Sequence, residues 1–421
     1  MFRLLYTLGI AAYALGIWLA APFHTKARMA VVGRRRQRSQ WMNWRSNRST
    51  GGGRVVWFHC ASLGEFEQGR PLIEALRNRQ PDTAIVLTFF SPSGFEVRKN
   101  YPFADAVWYL PLDLPGRARR FVEAIRPDTV VFIKYEYWAY YFLALRHRSV
   151  PLYVVSAIFR PGQRFFGWQR TFWMPVLAAV HRFHVQNETS AVLLRGAGIH
   201  CVEVCGDTRF DRVLAVAAEC RELESVAAFA GESPVLVCGS SYAIEERIAR
   251  DFLSRSAASW KVIIAPHQVD ESRVASIQAL FGSRVARLSQ WQATDAGCRV
   301  LVADTMGQLS AIYRYGQMAL VGGAFGKGLH NTLEAAAYGI PVAFGTRWEQ
   351  FDEARMLIQS GGAFAGSPDA VGRQLDLWAT DEITRRRAGL AARDVVEGGR
   401  GAVEKAMQLI LESPSGAAKI S

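Results

Sequence analysis

Short apolar runs alternate with amphipathic stretches over most of the chain. The apolar runs of the first half lie at 55–59, 84–89, 106–109, 129–134, 151–156 and 183–186. Amphipathic stretches that suit helices, such as 69–78 and 117–125, lie between them. Continuous apolar runs separated by helices are typical of strands buried on both faces of a parallel sheet. The pattern therefore predicts an α/β fold with a doubly wound parallel sheet.

A second series of apolar runs follows a charged, largely helical stretch at 211–232. These runs lie at 235–238, 261–265, 300–303, 318–321, 341–344 and 363–365. A chain of 421 residues with 50% hydrophobic content exceeds what one core usually organises and can fill two. We therefore predict two doubly wound domains, 54–210 and 233–412, joined by 211–232 and facing each other across a cleft. The last helix is predicted at 401–411, and residues 413–421 are predicted to form a flexible tail.

The N-terminal segment 4–23 is free of charged residues. About 20 residues at about 1.5 Å each cover about 30 Å, which is enough to cross the apolar layer of a membrane. A cleaved signal peptide is the alternative, but its apolar core is normally shorter and leads to a cleavage site of small residues. We predict that residues 1–25 form a membrane anchor that spans the bilayer or lies partly within it, and that residues 26–53 form a basic linker.

Positive charge is concentrated directly behind this segment. The net charge is +13, and eight arginines lie within 28–54: Arg28, Arg34, Arg35, Arg36, Arg38, Arg45, Arg48 and Arg54. By the positive-inside rule, this charge places the rest of the chain on the cytoplasmic side, with anionic lipids as partners. A nucleic-acid-binding protein is the alternative, but it would interleave aromatic and basic residues on one surface. We predict no nucleic-acid partner.

The sequence offers no obvious metal site. Its six cysteines include no C-x-x-C pair, which indicates reduced core thiols rather than disulfides or zinc ligands. No Asp-x-Asp pair occurs, so positive backbone dipoles would have to stabilise a leaving phosphate.

A glycine-rich loop at 322–328 follows one of the predicted strands. Its four glycines let backbone N–H groups approach a ligand, and a helix predicted to start near Asn331 directs its positive dipole end to the same place. Glu334, in the first turn of that helix, can accept hydrogen bonds from the diol of a ribose. A turn in which Asn331 and Glu334 only cap a helix is the alternative. The convergence of these residues favours a nucleotide site.

Three further loops are predicted at the same sheet edge. They are 239–241, 266–267 and 304–309, and each follows a predicted strand. Each loop alone is a weak signal, because such loops commonly contain Gly, Ser and Asp for capping. Together with 322–334 they describe one nucleotide site.

A second candidate site lies in the stretch 57–70. Glu65 comes just after a predicted buried strand, at the cleft edge, where a carboxylate with lowered solvation can act as a general base. Glu67 fits an ordinary surface residue that stabilises the helix dipole. His59, at the end of the strand, is predicted to be a core histidine rather than a catalytic one.

Several motifs resemble, in order, those of 3-deoxy-D-manno-octulosonic acid (Kdo) transferases. The resemblance covers nearly the whole chain as far as Gly401. The motifs are His59-x-Ala61-Ser62-x-Gly64-Glu65, 91–94, 109–113, Glu136-Tyr137-Trp138, 206–211, 264–266, 304–307 and His330-Asn331-x-Leu333-Glu334.

The resemblance implies an inverting glycosyltransferase of the GT-B class, with two Rossmann-like domains and an N-terminal anchoring helix. It implies transfer of Kdo from CMP-Kdo to a lipid A precursor at the cytoplasmic face of the bacterial inner membrane, in lipopolysaccharide biosynthesis, without a metal or other cofactor. Another membrane-associated GT-B enzyme, using a UDP-sugar and a lipid acceptor, is the alternative.

The resemblance also assigns residues. Glu65 would be the general base, Glu136 and Arg209 would stabilise the transition state, and Ser62 and Gly64 would lie on the acceptor side. The family usually has arginine or lysine where His267 stands and glutamate where Gln308 stands. Contacts with CMP would come from Pro266, His267, Met306, Gly307, Gln308, Asn331, Thr332, Leu333 and Glu334.

Overall fold

Two parallel sheets of seven strands each form the framework of the chain. The computed structural model describes residues 1–47, 53–219, 222–256, 259–282, 285–326 and 328–411. The first sheet contains β1 (Val55–Cys60), β2 (Ala84–Phe89), β3 (Ala106–Tyr109), β4 (Thr129–Ile133), β5 (Leu152–Ala157), β6 (Arg182–Val185) and β7 (Val202–Val204). The second contains β8 (Val235–Ser241), β9 (Lys261–Pro266), β10 (Val285–Arg287), β11 (Val300–Val302), β12 (Met318–Val321), β13 (Val342–Phe344) and β14 (Ala363–Ala365).

Helices connect the strands, as parallel pairing requires. Those of the first half are α1 (Phe2–Ala20), α2 (Thr25–Asn47), α3 (Leu63–Arg79), α4 (Pro92–Arg98), α5 (Pro115–Ile125), α6 (Ala139–His147), α7 (Arg170–Leu177), α8 (Glu188–Gly196) and α9 (Thr208–Glu219). The others are α10 (Glu224–Ala230), α11 (Ala243–Arg255), α12 (Glu271–Phe281), α13 (Leu309–Ile312), α14 (Leu333–Ala336), α15 (Asp352–Gln359), α16 (Pro368–Thr380), α17 (Glu382–Gly398) and α18 (Ala402–Leu411).

The predicted fold class is confirmed. Every residue of β1, β2, β4 and β5 is buried, which is why these strands form continuous apolar runs. Two strands escaped prediction, β7 and β10, because each has three residues and includes a charged one.

Each sheet has one point where the strand order reverses. The first sheet runs β3-β2-β1-β4-β5-β6-β7, so the reversal lies between β1 and β4. The second runs β10-β11-β9-β8-β12-β13-β14, so its reversal lies between β8 and β12. In open α/β sheets, ligands bind outside the carboxyl ends of the strands at this reversal.

The described chain divides into two compact units, and the last helix belongs to the first of them. Unit 1 comprises residues 1–211 together with the C-terminal segment from Gly401, and unit 2 comprises 212–400. Met407 and Ile410 of α18 are buried in the core beside α3. The Asp211 carboxylate accepts hydrogen bonds from the backbone N–H of Gly401 (2.7 Å) and of Val403 (3.0 Å). The sequence-based domain boundary of 412 therefore differs from the structure, which returns the chain to unit 1 at Gly401.

Most of the predicted basic linker is a helix. Residues 26–47 belong to α2, which packs against α5 and β3. Trp41 and Gln37 are buried on its inner face, and Gln37 Oε1 accepts a hydrogen bond from the Tyr109 N–H at 2.8 Å. The rest of the predicted linker, at 48–52, and the predicted tail, at 413–421, lie outside the described residues.

Candidate functional site

Glu65 lies at the strand reversal of unit 1, directly after β1. It is the third residue of α3 and completes a capping box, in which the Ser62 N–H donates to Glu65 Oε2 at 3.1 Å. The Ser62 hydroxyl also hydrogen bonds to Oε2, and the Gly64 N–H donates to Ser62 Oγ at 3.2 Å. One carboxylate oxygen therefore holds the start of α3 in place.

Glu136 lies on the other side of the same reversal, after β4. Its side chain is 18% exposed, and its Oε2 is 3.6 Å from the buried His59 Nε2. Burial, followed by the carboxylates of Glu65 and Glu136, raises the pKa of the Cys60 thiol well above its usual range. The negative charges of Glu65 and Glu136 therefore both influence Cys60, the last residue of β1.

A pair of cations lies at the same edge of unit 1. Arg209 donates to the Asp207 carboxylate through Nε at 2.9 Å. When the side-chain amide of Gln68 is oriented with its oxygen toward the cations, that oxygen accepts from Lys134 Nζ (3.1 Å) and Arg209 Nε (3.3 Å). Burial alone would raise the pKa of Asp207, but the charge and hydrogen bonds of Arg209 hold it below its usual range. Arg209 is thus fixed by an ionised partner. Lys134 and Gln68 were not among the predicted site residues.

The loops after β8 and β12 interlock at the reversal of unit 2. A side chain at position 322 would collide with the Ser240 carbonyl, so only glycine permits this approach. Gly322 N–H donates to the Gly239 carbonyl at 2.9 Å. Gly323, with φ of +95°, donates its N–H to the buried Glu245 Oε1 at 2.9 Å. These contacts fix the backbone of the glycine-rich loop.

Three rings stack beside this loop. The rings of His267 and His330 lie 4.4 Å apart, and that of Tyr242 lies 5.1 Å from His267. The Tyr242 hydroxyl hydrogen bonds to His330 Nε2 at 3.1 Å. Burial, followed by the charge of His267, lowers the pKa of His330 to about 4, so His330 is neutral at pH 7. Tyr242 was not among the predicted site residues.

Glu334 is held by two neighbours within unit 2. Ser310 Oγ donates to its Oε2 at 2.6 Å, and Asn331 Nδ2 donates to its Oε1 at 2.9 Å. The helix that carries it, α14, begins at Leu333 and has four residues, so it starts later than the predicted Asn331 and is short. Thr332 and Leu333 are fully buried, backbone included, so the structure does not expose these two predicted nucleotide contacts.

The remaining predicted nucleotide residues lie on loops after β9 and β11. Pro266 ends β9 and His267 is exposed. Met306 is 79% exposed, Gly307 has φ of +82°, and Gln308 Oε1 accepts a hydrogen bond from the Thr305 hydroxyl at 2.6 Å. Within the described residues, no group of three or more His, Cys, Asp or Glu side chains is placed to hold a metal ion.

Two parallel α/β units, each with polar loops at its strand reversal, define a protein of the GT-B class. Solved structures show the same fold. UDP-GlcNAc 2-epimerase from Neisseria meningitidis has a TM-score of 0.63 at 14% identity, covering 86% of this chain and 100% of that one. MurG from Acinetobacter baumannii has a TM-score of 0.53 at 14% identity, covering 86% and 99%.

Sequence comparison specifies the family. Residues 30–212 match the model of 3-deoxy-D-manno-octulosonic-acid transferase (kdotransferase). The 3-deoxy-D-manno-octulosonic acid transferase of Bordetella pertussis is 30% identical over 336 residues, 75% of this chain and 76% of that protein. The enzyme of the same name from Haemophilus influenzae is 26% identical over 372 residues, 84% and 86% of the two chains. The chain belongs to the Kdo transferase family and is a glycosyltransferase.

Proposed function

We propose that this enzyme transfers Kdo from CMP-Kdo to a lipid A precursor with inversion, using Glu65 as the general base. The observation that carries the proposal is the position of Glu65 and Glu136, which flank the strand reversal of unit 1 in a chain of the Kdo transferase family. A carboxylate at this position can accept the proton of an attacking sugar hydroxyl. Glu65 has one oxygen engaged in capping α3, so the other oxygen is the proposed base.

Arg209 and Glu136 have the proposed role of stabilising the transition state. Arg209 is charged and held by Asp207, so it can stabilise negative charge without moving. Glu136 can stabilise the positive charge that develops on a sugar ring as its bond to the leaving phosphate breaks. Ser62 and Gly64, next to Glu65, are the proposed acceptor contacts.

Unit 2 is the proposed CMP-Kdo site. The N–H groups of its four loop glycines already donate within the unit, so these bonds hold the loop in shape rather than contact a phosphate. The proposed phosphate position is beside this fixed loop, which the ring stack of Tyr242, His267 and His330 borders. Glu334 and Asn331 are the proposed ribose contacts, with the loops that carry Pro266 and Met306 to Gln308 completing the nucleotide pocket. The reaction proposed here needs no cofactor beyond the donor.

A ligand-binding comparison tests the proposed donor. CMP is expected to raise the melting temperature of the protein, because a ligand that binds only the folded state stabilises it. UDP and a single-stranded oligonucleotide at the same concentration are expected to raise it less. A larger shift with UDP would favour a UDP-sugar transferase, and a larger shift with the oligonucleotide would favour nucleic-acid binding. Mass analysis of a lipid A precursor incubated with CMP-Kdo then tests transfer itself.

The N-terminal helix is the proposed membrane-binding element. By length and composition α1 can cross a membrane, and none of its residues is fully buried. Yet it also contacts the rest of unit 1: the Tyr6 hydroxyl donates to the Asp113 carboxylate at 2.6 Å, and the Tyr13 and Phe90 rings stack at 5.9 Å. Its exposed large apolar side chains are Leu4, Leu5, Leu8, Tyr13, Leu15, Trp18 and Leu19.

These contacts favour a helix that lies along the membrane surface. Tyr6 and Tyr13 are about 10 Å apart along a helix, and both contact unit 1. Because one face of the helix is held against the enzyme over this length, we expect the opposite face to insert into the membrane surface rather than the whole helix to cross the bilayer. Exposed cations on α2, among them Lys26, Arg28 and Arg35, add attraction to anionic lipid of the bacterial inner membrane on its cytoplasmic side.

Deletion of residues 1–25 is expected to abolish binding to neutral vesicles and to leave salt-sensitive binding to anionic ones. The apolar face is lost in this variant, whereas the arginines of α2 remain. Vesicle co-sedimentation at low and high salt measures both effects, and a CMP thermal shift confirms that the shortened protein is folded. If the deletion variant ignored anionic vesicles at low salt, the proposed contribution of the arginines would be wrong.

A further inference from the structure

A chain of buried polar groups crosses from β2 to β1 behind the candidate base. Thr88 and His59 are direct neighbours in the register of these strands, and both are fully buried. Trp57 Nε1 donates to Thr88 Oγ1 at 2.8 Å, and Thr88 Oγ1 lies 2.9 Å from His59 Nδ1. His59, predicted from sequence to belong to the core, is indeed buried, but among the described residues its ring is hydrogen bonded only through Nδ1.

The other side of the ring faces Glu136. His59 Nε2 and Glu136 Oε2 are 3.6 Å apart, and among the described residues neither atom has a hydrogen-bond partner. A buried carboxylate oxygen without a donor costs free energy. The imidazole Nε2 of His59 faces this oxygen.

The hydrogen bonds of Thr88 determine whether His59 Nε2 carries a proton toward Glu136. The indole of Trp57 can only donate, so Thr88 Oγ1 keeps one proton and one lone pair for other partners. If the Thr88 hydroxyl donates to Nδ1, the single proton of a neutral imidazole lies on Nε2. In the other arrangement, Nδ1 donates to Thr88, and the Thr88 hydroxyl donates to the Phe58 carbonyl at 3.4 Å. A neutral ring would then direct the lone pair of Nε2 at the carboxylate, so the ring must be an imidazolium, which has a proton on both nitrogens. In both arrangements, when Glu136 is ionised, Nε2 carries a proton directed at it.

We propose that His59 is a positioning residue for Glu136, and that Thr88 and Trp57 set its orientation. At 3.6 Å the contact is longer than a hydrogen bond, so in this proposal the Nε2–H attracts Glu136 Oε2 electrostatically and orients the carboxylate toward substrate from inside the sheet. This inference rests on the proposed role of Glu136 and extends it to three residues of β1 and β2. A purely structural role for the buried chain would affect stability without affecting the chemical step.

Removal of the Thr88 hydroxyl separates these possibilities. Thr88→Val keeps the size of the side chain and releases His59, so kcat is expected to fall between about tenfold and 10²-fold. The KM for CMP-Kdo and the CMP thermal shift are expected to remain unchanged. Thr88→Ser, which keeps the hydroxyl, is expected to retain most of kcat. Equal kcat in wild type and Thr88→Val would overturn the inference.

A double-mutant cycle separates failure of this inference from failure of the proposed function. In a Glu136→Gln background, Thr88→Val is expected to cause little further loss of kcat, because the positioned carboxylate is already absent. The same loss in both backgrounds would indicate a structural role for Thr88 and contradict the inference. Full activity of Glu136→Gln alone would instead contradict the proposed role of Glu136.

The protonation of His59 can be measured on the unaltered protein, so the test does not depend on whether the variants fold. ¹⁵N-labelled histidine is expected to show a protonated Nε2 for His59 at the pH of the assay. An unprotonated Nε2 would overturn the inference, because such a ring has no hydrogen to donate to Glu136.

Discussion

The Glu65→Gln variant is expected to transfer Kdo about 10²–10⁴-fold more slowly than the wild type, with little change in CMP binding. A sugar hydroxyl is a weak nucleophile at neutral pH, and glutamine cannot accept its proton. The fold should survive, because glutamine also completes a capping box with serine. The Ser62 N–H that now donates to Glu65 Oε2 can donate to the amide oxygen instead. Single-turnover transfer rates and a CMP thermal shift measure the two effects separately.

Glu67→Gln is the matched control. Glu67 lies two residues further along α3 and is ion-paired with Arg98 at 2.8 Å. Loss of such a partly exposed pair costs at most about 1 kcal/mol of stability, and the transfer rate should change little. If Glu65→Gln retained the wild-type rate, or lost activity only by unfolding, the general base would have to be sought elsewhere, with Glu136 as the next residue to test.

The Glu334→Gln variant is expected to weaken CMP binding by about 2–3 kcal/mol, which corresponds to roughly 10²-fold in affinity. The proposed bonds to the ribose hydroxyls need a carboxylate that accepts on both oxygens. A carboxylate offers about four lone-pair sites, so the bonds from Ser310 and Asn331 do not by themselves preclude a ribose. An amide accepts on one side only. Isothermal titration with CMP measures the loss.

Glu382→Gln provides the comparison within unit 2. Its carboxylate is exposed and forms an ion pair with Arg386 on α17. CMP affinity in this variant should equal that of the wild type. If Glu334→Gln also bound CMP with unchanged affinity, the ribose contacts would have to be assigned to other residues.

Much of this fold could be predicted because its strands are buried on both faces. The run 84–89 matches β2 from end to end, since every residue of β2 is buried and apolar residues dominate it. The helix α2 could not be predicted in the same way, because most of its residues are polar or basic. Its helical form rests on packing of Trp41 and Gln37 against the first sheet, which no local pattern reveals. Tertiary contacts decide such elements.

The candidate site could be predicted at positions that only one residue type can occupy. Glycine at 322 is required by the approach of the Ser240 carbonyl, and a cluster of glycines is visible in sequence. The partners of the acidic residues were not predictable in this way. Thr88 and His59 are 29 residues apart and meet only through the register of β1 and β2, so a sequence pattern cannot connect them.

The return of α18 makes unit 2 an insertion into unit 1, which the chain leaves within α9 and rejoins just before α18. The two ends of the insertion are adjacent, since the Gly401 N–H donates to the Asp211 carboxylate at 2.7 Å. The chain connects the two units twice, at 211–212 and at 400–401. A single cut at one connection would leave unit 2 covalently attached through the other. Unit 1 could be produced alone by splicing Asp211 to Gly401 through a short linker, whereas a fragment that simply stopped at Asp211 would lack Met407 and Ile410 of its core.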